Sequence, residues 1–132
     1  MPDHILIVDD DATIRDSMEE FLRISRFHTS TAGSGEEALQ ILKDTPVDIV
    51  ITDIMMEGMD GLELTDNIKR DFDADVIVIT GYSVDYSYEA AISKGASDFI
   101  FKPVRFEELL LRIKRVLKER RLAKDRAQML IK

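Results

Sequence analysis

Four short apolar runs along the chain each end in polar residues. Ile5-Leu6-Ile7-Val8 runs into Asp9-Asp10, and Ile49-Val50-Ile51-Thr52 runs into Asp53. Val76-Ile77-Val78-Ile79 runs into Thr80, and Phe99-Ile100-Phe101 into Lys102-Pro103. Runs this short, rich in β-branched residues and separated by helical stretches, read as buried parallel strands. A fifth, weaker strand is expected near Phe27 to Thr31.

Helical periodicity fills the gaps. Between Thr13 and Ile24, the apolar positions Ile14, Met18, Phe21 and Leu22 form a core-facing stripe. Ser34-Gly35-Glu36-Glu37 has the form of a capping box and opens a helix through Leu42. A third helix is expected around Leu62 to Arg70, and a fourth near Val84 to Lys94, where Gly95 stops it. The last helix starts near Phe106 and meets no breaker. Strand and helix thus alternate five times, which predicts an α/β fold with a doubly wound five-stranded parallel sheet and right-handed crossovers.

The carboxyl ends of strands in such a sheet form the ligand crevice. The carboxylates of Asp9, Asp10 and Asp53, the hydroxyl of Thr80 and the ammonium of Lys102 are therefore expected to converge. Clustered carboxylates stay ionised only when a cation compensates them. Hard oxygen donors suit Mg²⁺, which keeps several waters and takes one or two carboxylates. A carboxylate is also a nucleophile able to form an aspartyl phosphate, with metal and ammonium neutralising the phosphoryl charge. Taken singly, an Asp pair after a strand is often a helix cap, and a Lys-Pro is usually a loop. Their joint occurrence at strand ends is what points to phosphate chemistry.

Composition narrows the class without changing this picture. The chain has 132 residues, 45% hydrophobic and 33% charged, enough for one domain with a real core. It has no cysteine, which excludes disulfides and thiolate metal sites and is compatible with a reducing cytoplasm, the expected location. No secretory signal is visible at Met1-Pro2-Asp3-His4, and no run reaches the ~20 apolar residues that span a bilayer. The net charge of −8 is divided unevenly. Residues 1–111 carry 24 acidic and 9 basic side chains, and residues 112–132 carry 2 and 9. An acidic body argues against direct nucleic-acid binding by the main domain.

These motifs resemble the receiver domain of bacterial two-component response regulators, over residues 4–118. The matching stretches are Ile5 to Asp11, then Asp53-Ile54-Met55-Met56 with Met59-Asp60-Gly61, then Val78-Ile79-Thr80-Gly81, then Lys102-Pro103. The resemblance implies a flavodoxin-like (β/α)5 fold of strand order 2-1-3-4-5 with an extended C-terminal helix. It implies Asp53 as phosphoacceptor for a sensor histidine kinase or phosphotransfer protein. It implies Asp9 and Asp10 as the acid pair and the backbone carbonyl of Met55 as a further Mg²⁺ ligand. Thr80 would be the switch hydroxyl, Lys102 the phosphate-pairing lysine, and Phe99 the aromatic that swings with the switch. A cis bond is expected before Pro103. The face built from the fourth helix, fifth strand and fifth helix would change with phosphorylation. Where the family commonly has proline, this chain has Glu57 followed by Gly58, which predicts a less rigid, more acidic loop. Met55 and Tyr82 stand where the family tunes access of water, and their bulk predicts slow hydrolysis.

Rival readings are weaker. Asp9-Asp10-Asp11-Ala12-Thr13 fits the Asp-x-Asp-x-Thr signature of haloacid-dehalogenase-like phosphatases, but that reading leaves Asp53 without a role and has only Glu107-Glu108 after the lysine. A phosphate-independent interaction module is supported by Glu57 alone. Beyond residue 118, positions 113, 116, 120, 123, 127 and 130 have a coiled-coil-like spacing broken by Arg120. Residues 119–132 are thus expected to be a helical extension or the start of a linker to an output domain. Candidate homodimer contacts are this helix and the fourth-helix, fifth-strand, fifth-helix face, where Asp98 and Arg112 occupy positions that pair between subunits in some receivers.

Overall fold

The computed structural model describes residues 2–81 and 85–131. The strands are β1 (His4–Val8), β2 (His28–Ala32), β3 (Ile49–Asp53), β4 (Asp75–Thr80) and β5 (Asp98–Phe101). They alternate with helices α1 (Ala12–Ile24), α2 (Gly35–Asp44), α3 (Gly61–Asp71), α4 (Asp85–Ser93) and α5 (Phe106–Ile131). All strand pairs are parallel, in the order β2-β1-β3-β4-β5. This is the five-stranded, doubly wound order expected from the resemblance, with the long C-terminal helix.

Strand alternation sorts the apolar residues onto two faces. Ile5, Ile7, Ile51 and Ile77 pack with Met18 and Leu22 of α1 and Leu109 and Ile113 of α5. Leu6, Val8, Val50 and Val78 face the other way, against Leu42 of α2, Leu64 and Ile68 of α3, and Ala91 of α4. Both faces of β3 are covered, and all five of its residues are buried. β2 lies at the edge and its sequence, His28-Thr29-Ser30-Thr31-Ala32, is correspondingly polar and half-buried.

Local signals set the element ends. Ser34 caps α2 by accepting the N–H of Glu37 at 3.1 Å. The Glu37 carboxylate, however, accepts from Gly33 N–H (2.6 Å), one residue before the position of a full capping box. α4 ends in a Schellman motif. Gly95 has φ +101°, its N–H reaches the carbonyl of Ile92, and Ala96 N–H reaches that of Ala91. α1 ends in the same motif, with Arg26 N–H on Arg23 and Phe27 N–H on Leu22. There the left-handed residue is Arg26, at φ +74°. Because Phe27 completes that motif, β2 begins one residue later than expected. β3 and β4 each run one residue further, to Asp53 and Thr80.

Candidate functional site

The carboxyl ends of β1, β3, β4 and β5 build one pocket. Asp9, directly after β1, is buried, and its Oδ1 accepts the N–H of Asp11 at 2.9 Å. Its own N–H bonds to the carbonyl of Ala32, and its carbonyl accepts from Arg15 Nη1 at 2.7 Å. Asp53 closes β3 and is likewise buried. Oδ1 of Asp53 accepts from Met55 N–H at 3.2 Å, and Oδ2 accepts from Lys102 Nζ at 2.8 Å. The same ammonium stands 3.8 Å from Asp9 Oδ2. Lys102 therefore bridges the two buried carboxylates from the far side of the crevice.

The lysine is held by its backbone. Its N–H donates to the carbonyl of Thr80 at 2.7 Å, and the bond to Pro103 is cis. Thr80, the last residue of β4, is buried beside it. Asp53 pairs with Ile79 in the ladder, and Ile54 N–H bonds to the Ile79 carbonyl, so β3 and β4 present Asp53 and Thr80 at the same edge.

The three consecutive aspartates divide their tasks. Asp9 is buried and Asp10 is exposed. Asp11 caps α1, accepting from Thr13 N–H at 2.9 Å and Ile14 N–H at 3.3 Å. Met55 has its side chain in solvent. Phe99 is buried, edge-on to Tyr88 and Phe101 at centroid distances of 5.5 and 5.0 Å. Glu57 is exposed, and Gly58 adopts φ +78°. Tyr82 lies outside the described residues.

Electrostatics follow from this packing. Burial pushes the Asp9 carboxyl above its ordinary range, with the charges of Asp53 and Asp10 adding to the effect; the Asp11 N–H and Lys102 oppose it. Burial alone would lower Lys102. The hydrogen bond to Asp53 and the charges of Asp53, Asp9 and Asp11 outweigh it, so the ammonium is held above the usual lysine value. Among the described residues no three His, Asp or Glu side chains close into a ready metal cage. Two buried carboxylates, the exposed Asp10 and one shared ammonium are instead a hard, under-neutralised oxygen set. That set fits a divalent cation that takes one or two carboxylates and keeps its waters. A cleft of about 590 Å³ descends from Asp9, Asp53 and Lys102 between α1 and the loop before α5, past Ile14, Met18 and Val104.

Comparison with known proteins decides the family. The response regulator receiver domain profile matches residues 5–114. The chain belongs to the response regulator receiver domains. Its relatives include the heme response regulators HssR of Staphylococcus aureus (strain Newman) and Staphylococcus haemolyticus (strain JCSC1435). They are 40% and 42% identical over 113 residues, covering 86% of this chain and 50% of each relative. The receiver thus spans about half the length of the curated relatives it matches. A CheY-like receiver domain protein from Methanospirillum hungatei JF-1 superposes with a TM-score of 0.88 at 30% identity. That match covers 93% of this chain and 99% of the other. NtrX from Brucella abortus gives 0.91 at 33% identity, over 98% of this chain and 30% of that one. As a receiver domain of two-component systems, the chain is not a haloacid-dehalogenase-like phosphatase.

Two ion-pair clusters lie away from the pocket. Arg120, which breaks the apolar seam of the last helix in sequence, is directed inward to Asp48, Asp73 and Asp75 at the amino-terminal end of the sheet. Asp98 and Arg112 meet inside one chain at 2.8 Å. Arg115 takes the second Asp98 oxygen, also at 2.8 Å. Among the described residues no helix is long and apolar enough to cross a membrane.

Proposed function

We propose that this receiver domain is a phosphorylation-dependent switch that accepts a phosphoryl group on Asp53 from a sensor histidine kinase or phosphotransfer protein. The observation that carries the reading is Lys102 Nζ at 2.8 Å from Oδ2 of a buried Asp53. An ammonium anchored there by the β5 backbone is set to hold a phosphoryl oxygen as well as the carboxylate.

In the proposed transfer an Asp53 oxygen bonds to phosphorus while the phosphorus–nitrogen bond to the donor imidazole breaks. Lys102 neutralises part of the phosphoryl charge, and the Thr80 hydroxyl donates to a phosphoryl oxygen. Asp9, Asp10, Asp53 and the Met55 carbonyl would hold Mg²⁺, which supplies charge neutralisation on the phosphoryl oxygens when bound. Movement of Thr80 toward the phosphoryl group would make room for Phe99 to shift, altering the face of α4, β5 and α5. Burying Phe99 costs no hydrogen bond, because it lacks a hydroxyl. The signal is then a shift between two populated conformations.

Residues 1–118 form the switch in this reading, and 119–132 a helical extension toward an output domain or a second copy. Its support is the uninterrupted course of α5 to Ile131 and the greater length of the relatives. The acidic body, with a net charge of −15 over residues 1–111, would repel nucleic acid, so output passes through protein contacts. The switch would act in the cytoplasm, with which the absence of cysteine from the chain is compatible.

Intact-protein mass spectrometry after incubation with Mg²⁺ and acetyl phosphate tests the reading. One metal-dependent phosphoryl adduct is expected on the wild type and none on Asp53→Asn. An equal adduct on both, or none on either, would move the function to a phosphate-independent module.

A further inference from the structure

The chain has two histidines, and the fold makes them neighbours. His4 opens β1 and His28 opens β2, and the two are register partners in the parallel ladder. Side chains of paired residues share one face of the sheet. The rings lie 6.2 Å apart between centroids. They stand at the amino-terminal edge of the sheet, roughly 16 Å from the acidic pocket along strands of this length.

His4 is tied down by a second contact. Its Nε2 is 2.7 Å from Ser30 Oγ. With Nε2–H donating to that hydroxyl, Nδ1 keeps its lone pair. A hydrogen bond on one ring nitrogen that orients the other is the usual arrangement around metal-bound histidine. Burial and the neighbouring His28 hold the His4 imidazolium below its ordinary pKa, against the pull of Asp48.

We propose that His4 and His28 together bind one borderline divalent transition-metal ion, of the class of Zn²⁺, Ni²⁺ and Cu²⁺. Metal–nitrogen bonds of about 2.0–2.1 Å put the ion roughly 3 Å from each ring centroid, so rings roughly 5–6 Å apart share an ion. The observed separation of 6.2 Å lies just beyond that range, and His28 is exposed at the strand's first position, where solvent leaves its ring room to turn. Imidazole ligands select these ions and not Mg²⁺, which prefers oxygen. Mg²⁺ held in the acidic pocket would therefore not compete for the imidazole pair.

The surroundings set the strength. Among the described residues no third His, Asp or Glu completes a cage, so water fills the remaining positions. Asp48 accepts the His4 backbone N–H at 2.9 Å but is also 3.6 Å from Arg120. Asp3 is paired with Arg121 at 2.9 Å. The local charge is close to balanced, and the imidazoles must supply the affinity. Micromolar binding is expected, not the tight binding of a structural zinc site.

The test is calorimetric titration of Zn²⁺ into the chain, free of any polyhistidine tag and with Mg²⁺ saturating the acidic pocket. One Zn²⁺ per chain is expected, with a rise in Tm that grows with Zn²⁺ concentration. His28→Ala, an exposed position whose fold is checked by circular dichroism, should lose roughly tenfold or more in affinity. Ser30→Ala should weaken binding while keeping both ligands. Absence of binding to the wild type up to millimolar Zn²⁺ overturns the proposal. So does unchanged binding to His28→Ala, which would place the ion elsewhere.

Discussion

Arg120 Nη1 lies 3.2 Å from Asp75 Oδ2, so the last helix is fastened to the start of β4. The same guanidinium is 3.3 Å from Asp73 Oδ1 and donates to the Asp73 carbonyl at 2.8 Å. Its Nε, 3.6 Å from Asp48 Oδ1, has no hydrogen-bond partner. Only 10% of the side chain is exposed. Three carboxylates thus gather around one buried cation at the end of the sheet opposite the acidic pocket, with Lys124 Nζ also 3.9 Å from Asp73.

Arg120→Met keeps the apolar stem but removes the charge. Breaking one side of a buried pair leaves the other uncompensated, at a cost of ~3–5 kcal/mol when both are fully buried. Asp73 is largely in solvent, which reduces the loss here. A destabilisation of about 2 kcal/mol in urea unfolding is expected, smaller at high salt. An unchanged or raised midpoint would mean that the three carboxylates are hydrated without help.

Arg26 gives a prediction of opposite sign. It occupies φ +74° at the end of α1, a conformation that costs a side-chain-bearing residue roughly 1–2 kcal/mol. Glycine removes that strain but loses more entropy on folding. Arg26→Gly should therefore stabilise the chain by about 0.5–1 kcal/mol, read as a higher urea midpoint at unchanged slope. A lower midpoint would show that the arginine makes a compensating contact.

Neither arginine declares its role in the sequence. Runs such as Ile49 to Thr52 carry their burial in their composition, and Asp53 and Lys102 are placed by where those runs end. Gly95 was legible because glycine is the ordinary residue for a left-handed helix end. Arg26 carries no such signal, since nothing in its type marks a positive φ. Arg120 reads as an interruption because its partners lie 45 to 72 positions earlier in the chain and meet it only when the sheet forms. Three consecutive aspartates likewise could not be divided into a buried carboxylate, an exposed one and a cap until the turn after β1 was built.

Asp9 makes stability depend on pH. Its folded-state pKa is raised, chiefly by burial, so the folded chain binds the proton more tightly than the unfolded chain does. Its contribution is fully present below the ordinary carboxyl value and is lost as pH rises through the folded value. Asp9→Asn keeps an acceptor for the Asp11 N–H and removes the buried charge. The variant should be more stable than wild type at neutral pH without Mg²⁺, with the difference closing in acid. Thermal unfolding across pH 3 to 7 checks it, and a variant less stable at pH 7 would mean that pairing with Lys102 outweighs burial.

Gly61 ties β3, the strand that ends in Asp53, to the helix that follows. It is the first residue of α3, its N–H bonds to the carbonyl of Ile54 at 2.9 Å, and its own carbonyl accepts from Thr65 Oγ1 at 2.7 Å. A Cβ placed there would overlap the carbonyl oxygen of Asp53 and stand 2.8 Å from Ile54 Cα. Both obstacles are backbone, so the end of β3 would have to move. Gly61→Ala should cost about 2–3 kcal/mol, at the upper end for overpacking, and should also slow labelling of Asp53 by acetyl phosphate. Gly81→Ala is the contrast for stability, because its nearest obstacle is the flexible Lys102 side chain at 4.0 Å. It should change unfolding by less than about 0.5 kcal/mol. Equal losses in the two variants would remove the link between close packing at Gly61 and the placement of Asp53.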